Sequence, residues 1–562
     1  MTTFNTFDLI RRNLFYYRRT NLAVVLGAAT AVAVLAGSLV VGDSVRGSLR
    51  ELVIERLGAT NLVLSGPAFF REDLAREIAS ASAARACPII AMEGIVSGQG
   101  SPGRRASGVL IYGVDERFWR FHGKQTPPMT DGREAFLSPA LAHELGLREG
   151  DSVLIRVEEP SEIPKESLHG RKDLPGKIVR FSVGPGVTPA ALGEFSLQPQ
   201  QSAVRAIFVP LRRLQRDLGV SAKANTVLVD PQGVPIASVE KAVREAFALE
   251  DISLRLRKLD DQRGVAIESN GGILPAALSD RITERFCKNA HSCTSLFTYL
   301  VNTIRIGERE IPYSLVTGVD ENVFSPLLDS ETPPIILNQW AARELKARPG
   351  DSVELEYYVW RSDGRLETQK AQFRLESIVP ISGFAAHRDV APHYPGITDA
   401  DNLRNWDPPF PMDLKRIRQS DEDYWDLYRT TPKAYIPLRT AQRFWESRYG
   451  SLTSIRIAGV PEEQLQRDLR ASLDPFESGL VLLDVRNAAL TASQGATDFG
   501  EYFVYFSFFL VVSALLLAGL FFRLGVDQRL REIGLLAALG FPRSRIQLVF
   551  LCEGLLLAAI GG

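Results

Sequence analysis

Two stretches without a single charged residue constrain this chain more than anything else in it. Leu22 to Val41 is rich in Ala, Val, Leu and Gly, and Tyr502 to Phe522 reads YFVYFSFFLVVSALLLAGLFF. At about 1.5 Å rise per residue, some twenty helical residues cover the roughly 30 Å of a bilayer's hydrocarbon core. A buried helix of a soluble protein would carry a polar face somewhere, and the first run carries none. A cleaved secretory signal would have a shorter basic region and an apolar run of about 7–15 residues. Both stretches therefore read as membrane spans, with lipid as an obligatory partner. In the second, the aromatic residues gather toward its first half, as rings do at headgroup depth.

Basic residues near the spans set the orientation. Arg11, Arg12, Arg18 and Arg19 precede the first, and Arg523, Arg529 and Arg531 follow the second, so both flanks belong in the cytoplasm and the intervening chain outside. The expected organisation is a cytoplasmic amphipathic stub (1–21), a first span (22–42), an extracytoplasmic region (43–501), a second span (502–522), a cytoplasmic helix and turn (523–545), and the start of a third span (546–562). That last apolar run, IQLVFLCEGLLLAAIGG, looks too short to cross comfortably, and the chain is expected to be cut within it. The balance of 65 basic against 66 acidic residues gives no electrostatic reason for a nucleic-acid partner.

The large region between the spans repeats itself. LAHELGLREGDSVLIRV (Leu141 to Val157) answers WAARELKARPGDSVELEYY (Trp340 to Tyr358), each reading as helix, Gly-Asp turn, strand. LIYGVDERF (Leu110 to Phe118) answers LVTGVDENVF (Leu315 to Phe324), and LAREI (Leu74 to Ile78) answers LSDRI (Leu278 to Ile282). Further on, Ala206 to Gly219 answers Ala434 to Glu446, and Asn225 to Phe247 answers Leu452 to Leu473. A single Gly-Asp turn recurs by chance, but collinear matches across most of both halves do not. The fold class expected is α-helical spans carrying a large duplicated α+β domain, with modules near 60–262 and 269–487.

Candidate chemistry in this region is sparse. Cys87 and Cys293 occupy similar places ahead of the Gly-Val-Asp elements. Cys287 and Cys293 are close enough in sequence for a disulfide in an oxidising compartment, but spacing leaves pairing and free thiols equally open. His387, Asp389, His393, Asp399, Asp401 and Asp407 cluster in a Pro-rich stretch that has no counterpart in the first module and reads as an ordered surface loop rather than a metal site. Asp421 to Arg429 (DEDYWDLYR) reads as a solvated helix with its rings turned inward. Neither a G-x-x-x-x-G-K-[ST] loop nor an H-E-x-x-H or G-x-S-x-G motif occurs, and GPGVTPAALG (184–193) lacks the lysine that phosphate binding needs. No enzyme and no cofactor is read from this chain. Glu553, an ionisable residue inside the last apolar run, is expected to face other helices and bond one of them.

The segment Phe521 to Gly562, FFRLGVDQRLREIGLLAALGFPRSRIQLVFLCEGLLLAAIGG, resembles the FtsX-like ABC transporter permease family. There, a span is followed by a short helix reading R-x-x-E-I-G-x-L-x-A-L-G, a turn, and a further span opening with E-G-x-L. The matching positions are Arg529, Glu532, Ile533, Gly534, Leu536, Ala538, Leu539 and Gly540, then Glu553 and Gly554. One span followed by a large extracytoplasmic insertion is similar to the MacB-like topology of that family. The resemblance implies a multi-pass protein of the bacterial inner membrane, a dimeric permease, and a separate cytoplasmic ABC ATPase that holds ATP and Mg. It assigns the short helix to coupling, with Ile533, Leu536, Ala537 and Gly540 on one side and Arg529, Arg531 and Glu532 offering charge to the ATPase. It leaves export and mechanotransmission both open. A membrane-tethered binding or scaffold protein is the alternative that the spans alone allow.

Overall fold

In the computed structural model the described residues are 6–98, 104–127, 132–158, 163, 176–200, 202–259, 264–288, 292–320, 332–361, 365–392, 394, 397–398, 400–406, 410, 412–493 and 499–562. The chain divides into two units, one of 1–57, 197–202 and 486–562, the other of 58–196 and 203–485.

The first unit is helical. α1 (Thr6–Tyr16) and α2 (Arg18–Leu57) lie at one end of the chain, and α13 (Val485–Ser493), α14 (Phe499–Gln528), α15 (Leu530–Ala538) and α16 (Arg543–Gly561) at the other. Three helices, Arg18–Leu57, Ser507–Gln528 within α14, and Arg543–Gly561, are long and apolar enough to cross a membrane. These helices run beyond the apolar stretches. α2 continues past residue 42 to Leu57, and α14 past Phe522 to Gln528, because charged residues such as Arg46, Arg523 and Asp527 do not break a helix. The last run is not too short, since its helix begins at Arg543, right after Pro542.

The second unit consists of two halves built to one plan. The first contains β1 (Leu62–Arg71), α3 (Asp73–Ser82), β2 (Arg85–Gly98), β3 (Arg105–Val114), α4 (Glu116–Phe121), β4 (Glu134–Leu137), α5 (Pro139–Leu145), β5 (Ser152–Val157), β6 (Lys177–Val183), β7 (Ala206–Pro210), α6 (Leu211–Leu218), β8 (Lys223–Asp230), α7 (Ile236–Ala246) and β9 (Leu254–Lys258). The second contains β10 (Gly264–Ser269), α8 (Ala276–Ile282), β11 (Ser292–Ile306), β12 (Arg309–Val319), β13 (Pro334–Asn338), α9 (Gln339–Leu345), β14 (Ser352–Trp360), β15 (Leu366–Val379), α10 (Gln419–Tyr428), β16 (Ala434–Pro437), α11 (Leu438–Trp445), β17 (Ser454–Ala458), α12 (Glu462–Ser472) and β18 (Val481–Asp484).

In the first half β2-β3-β7-β4-β6-β5 pair in a ring that closes back on β2; in the second, β11-β12-β16-β13-β15-β14 closes on β11. Parallel pairings fall at matching places, β3–β7 and β4–β6 against β12–β16 and β13–β15. Closure removes the exposed edges that a small sheet would otherwise present. The recurring sequence pieces have direct causes in these barrels. Gly113 and Gly318 lie where α6 and α11 cross their strands: a Cβ at Gly113 would come 2.8 Å from Leu214, and one at Gly318 would collide with the Cβ of Ala441. In the two Gly-Asp turns, Gly150 and Gly350 have φ of +88° and +96°. Asp151 and Asp351 each accept the backbone N–H of an arginine three residues back, at 2.7 Å.

Outside each barrel lies a βαββαβ layer of ferredoxin-like type, whose fourth strand would normally lie beside its own first. Here the fourth strands are exchanged. β9, from the first half, pairs with β10 of the second, and β18, from the second, pairs with β1 of the first. The halves are therefore not independent modules: Leu62, Val229 and Leu254 share one continuous core with Ile267, Ile457 and Leu480. A reciprocal strand exchange is a form of domain swapping within one chain.

The stretch around His387 is not a surface loop. Tyr394, Leu403, Trp406 and Phe410 are buried in the second barrel's core, and the Tyr394 hydroxyl donates to the Thr298 carbonyl at 2.8 Å. α10 turns Tyr424 and Trp425 inward and exposes Asp423 and Asp426, as expected of a solvated helix, but Asp421 and Glu422 are buried. Asp421 is buried against Arg418 at 2.9 Å and Lys433 at 3.9 Å, and Glu422 accepts the Leu403 N–H. Burial pushes the Lys433 ammonium down to about 8, with the Asp421 carboxylate opposing the shift.

Candidate coupling site

α14 and α15 meet at Arg529, whose backbone leaves the helical region (φ −101°, ψ 10°) while its carbonyl still accepts the Ile533 N–H. α15 then runs to Ala538, stops at the left-handed Gly540 (φ +88°), and the chain enters α16 through Pro542. This places a three-turn helix between two span-length helices.

The two long sides of α15 differ. Arg529, Glu532, Ile533 and Leu536, at i, i+3, i+4 and i+7, are buried or half-buried; Arg531, Gly534, Leu535, Ala538 and Leu539 are exposed. Leu535 and Leu539 show 61% and 67% of their surface. The sequence expectation had the helix turned the other way. Arg529 is buried and Glu532 bonds Tyr17, so neither presents its charge outward, and Ile533 and Leu536 are half-buried. Arg531, Gly534, Ala538, Leu539 and Gly540 do lie on the exposed side. Leu535 was missed because it falls between the motif positions, although its place one turn after Arg531 was readable from helical spacing.

Arg529 is buried by three contacts. Its Nη1 donates to Oε2 of Glu553 at 2.5 Å, its guanidinium lies 3.7 Å from the ring centroid of Tyr17, and the Phe550 ring is 5.6 Å away. Only 4% of either charged side chain is exposed. Tyr17, at the break between α1 and α2, donates its hydroxyl to Glu532 at 3.2 Å. Glu553 thus bonds a neighbouring element, as expected for an ionisable group inside an apolar helix. α2 and α14 approach closely nearby, where a Cβ on Gly27 would be 3.1 Å from that of Ala518.

The chain matches the family model of the FtsX-like permease C-terminal over residues 504–562 and that of the MacB-like periplasmic core domain over 22–246. The chain carries an FtsX-like permease segment. Together with its MacB-like periplasmic core domain, this is the make-up of a membrane permease component of an ABC transporter. All nine coupling candidates and Glu553 fall within the FtsX-like segment; the second half of the duplicated region lies outside both matches. Among solved structures, the periplasmic region of MacB from Actinobacillus actinomycetemcomitans aligns at 13% identity, covering 34% of this chain and 84% of its own, with a TM-score of 0.22. The extracellular domain of the noncanonic ABC-type transporter YknZ from Gram-positive bacteria aligns at 12% identity over 33% and 90%, also at 0.22. No curated protein matches.

Of the remaining candidates, Asp389 is held by ion pairs, buried between Arg456 at 2.8 Å and Arg257 at 3.4 Å, and Arg257 also bonds the buried Glu268. The Asp401 carbonyl accepts from Arg429 at 3.1 Å. His387 sits beside Phe384, while His393, Asp399 and Asp407 lie outside the described residues. Among the described residues no group of three or more His, Cys, Asp or Glu is arranged to hold a metal. Cys287 and Cys293 form a disulfide, and Cys87, the counterpart of Cys293, is a buried free thiol whose pKa burial pushes up.

Proposed function

We propose that this chain is the permease subunit through which ATP hydrolysis, in a separate cytoplasmic ABC ATPase, moves the extracytoplasmic domain. The observation that carries this reading is the two-sided α15. One side exposes Arg531, Gly534, Leu535, Ala538 and Leu539, an apolar stripe with a cation at its start, of the kind that seats in a groove on a partner. The other side is tied to neighbouring helices through Arg529 and Glu532. A push received on the first side passes to the spans through the second, which describes a two-state rearrangement biased by nucleotide in the partner. ATP and Mg belong to that partner. The permease acts as a dimer in the bacterial inner membrane, with three span-length helices among the described residues, and its work is export or mechanical action on periplasmic components.

The test is co-purification from membranes of the permease with its cognate ABC ATPase. Leu535→Glu places a charge in the apolar stripe and is expected to cut recovery of the ATPase at least tenfold, while an exposed substitution outside α15, such as Lys241→Gln, leaves it unchanged. Recovery of the ATPase at the same level with Leu535→Glu and Arg531→Glu would defeat the coupling reading and leave a tethered scaffold.

A further inference from the structure

We infer that Arg529, Glu553 and Tyr17 form a positioning clasp that fixes the angle of α15 to the spans, so that a force on its exposed side moves helices rather than bending the joint. The inference rests on the proposed coupling function and adds to it three residues that touch no partner. The joint at Arg529 is one non-helical residue between two helices, a place where α15 alone would hinge. The side chain of that same residue closes the hinge. It reaches Glu553, ten residues or about 15 Å into α16, and covers the ring of Tyr17 at the α1–α2 break. Tyr17 in turn holds Glu532, one turn further along α15. Four elements, the α1–α2 junction, the α14–α15 junction, α15 and α16, thus converge on one buried guanidinium.

The chemistry suits a clasp. An ion pair excluded from water is held by strong electrostatic attraction, and separating it leaves both charges uncompensated, so the contact resists opening. A planar guanidinium serves two directions at once, with its edge toward a carboxylate and its face toward an aromatic ring, which an ammonium does not match. The contact is also made by one oxygen only. Oε1 of Glu553 and Nε of Arg529 are buried and have no hydrogen-bond partner among the described residues, so a small shift of α15 against α16 has further donors and acceptors to engage.

The experiment uses the full-length permease with its ATPase in membranes and reads two quantities: ATPase recovered on co-purification, and the nucleotide-dependent change in amide exchange of the periplasmic domain. Glu553→Gln keeps shape and removes the charge. It is expected to leave ATPase recovery within twofold and to reduce the exchange response at least fivefold. The exchanged pair R529E/E553R, which restores opposite charges, is expected to regain at least half of that response. An unchanged response in E553Q, or an exchanged pair that is recovered in the membrane yet no better than E553Q, overturns the clasp. Failure of the underlying coupling reading looks different: the wild-type protein itself then shows no ATPase recovery and no nucleotide response.

Discussion

The two halves of the periplasmic domain share a closed barrel, matching parallel pairings and the same Gly-Asp turn, yet they differ in how each is secured. The first half combines ionic ties, Arg71 to the buried Asp251 at 2.7 Å and Arg117 to Asp115 at 2.6 Å, with a large apolar cluster. Tyr112, Phe118, Trp119, Phe195 and Phe208 form a ring cluster around His122, which accepts the Ala59 N–H. The second half adds a covalent tie, the Cys287–Cys293 disulfide, and its Glu268 and Asp389 hold Arg257 of the exchanged β9, with Arg456 on the far side of Asp389. Duplication preserved the chain path, which backbone closure dictates, and left the means of stabilising it free to diverge. What the halves could not do separately after the strand exchange is complete their layers, since each fourth strand is supplied by the other.

The exchange gives the largest expected effect. Leu254→Ala empties a fully buried position in β9, for a loss of about 3 kcal/mol. Because β9 belongs by sequence to the first half and by pairing to the second, amide exchange should rise in β10 and β17 first. Faster exchange confined to β1 and β8 would mean that the halves unfold according to sequence. Next comes the helix-over-strand contact. Gly318→Ala meets a Cβ with no freedom to yield and should cost about 3 kcal/mol, whereas Gly113→Ala meets the flexible end of Leu214 and should cost about 1 kcal/mol. Equal denaturation midpoints for the two variants would show that the Cβ of Ala441 yields as readily as the end of Leu214.

Smaller differences test the ties. Replacing Cys287 and Cys293 with serine removes a short loop closure worth about 2 kcal/mol, and the loss of protection should be confined to the second half. An effect of a different kind is set by acid. Burial among rings, with Arg85 and Lys124 adding like charge, holds His122 down to about 3, so the folded protein keeps it neutral where the unfolded chain, near 6.5, takes up a proton. The contribution is complete above pH 6.5 and is lost as pH falls from 6.5 toward 3, by up to about 1.4 kcal/mol per pH unit. Amide exchange around Ala59 should accelerate over that window in the wild type and not in His122→Gln. An identical acid response in both would place the sensitivity elsewhere.

Much of the architecture was legible in the sequence because its causes are local. A charge-free run of twenty residues has nowhere favourable to go but lipid, and Gly150 with Asp151, or Gly350 with Asp351, make the same turn wherever the chain carries them. The FtsX-like signature from Arg529 to Gly554 was likewise plain as a string. Its sidedness was not, since the identity of Arg529 is the same whether it meets an ATPase or Glu553, and only the phase of α15 against α16 and Tyr17 decides between them. The same holds for Asp389, which read as part of a surface loop until Arg456 of β17 was placed beside it, and for Asp421, which read as solvated until Lys433 was placed near it.

The sequence by itself determined the spans, the duplication and the repertoire of turns, all of which follow from the composition and spacing of neighbouring residues. Only the tertiary structure decided that β9 and β18 change places and that a basic residue of the coupling motif faces inward. A strand carries the same alternation whichever partner it joins, and a helix the same residues whichever way it is rotated. Pairing and rotation are settled by burial against segments hundreds of residues away.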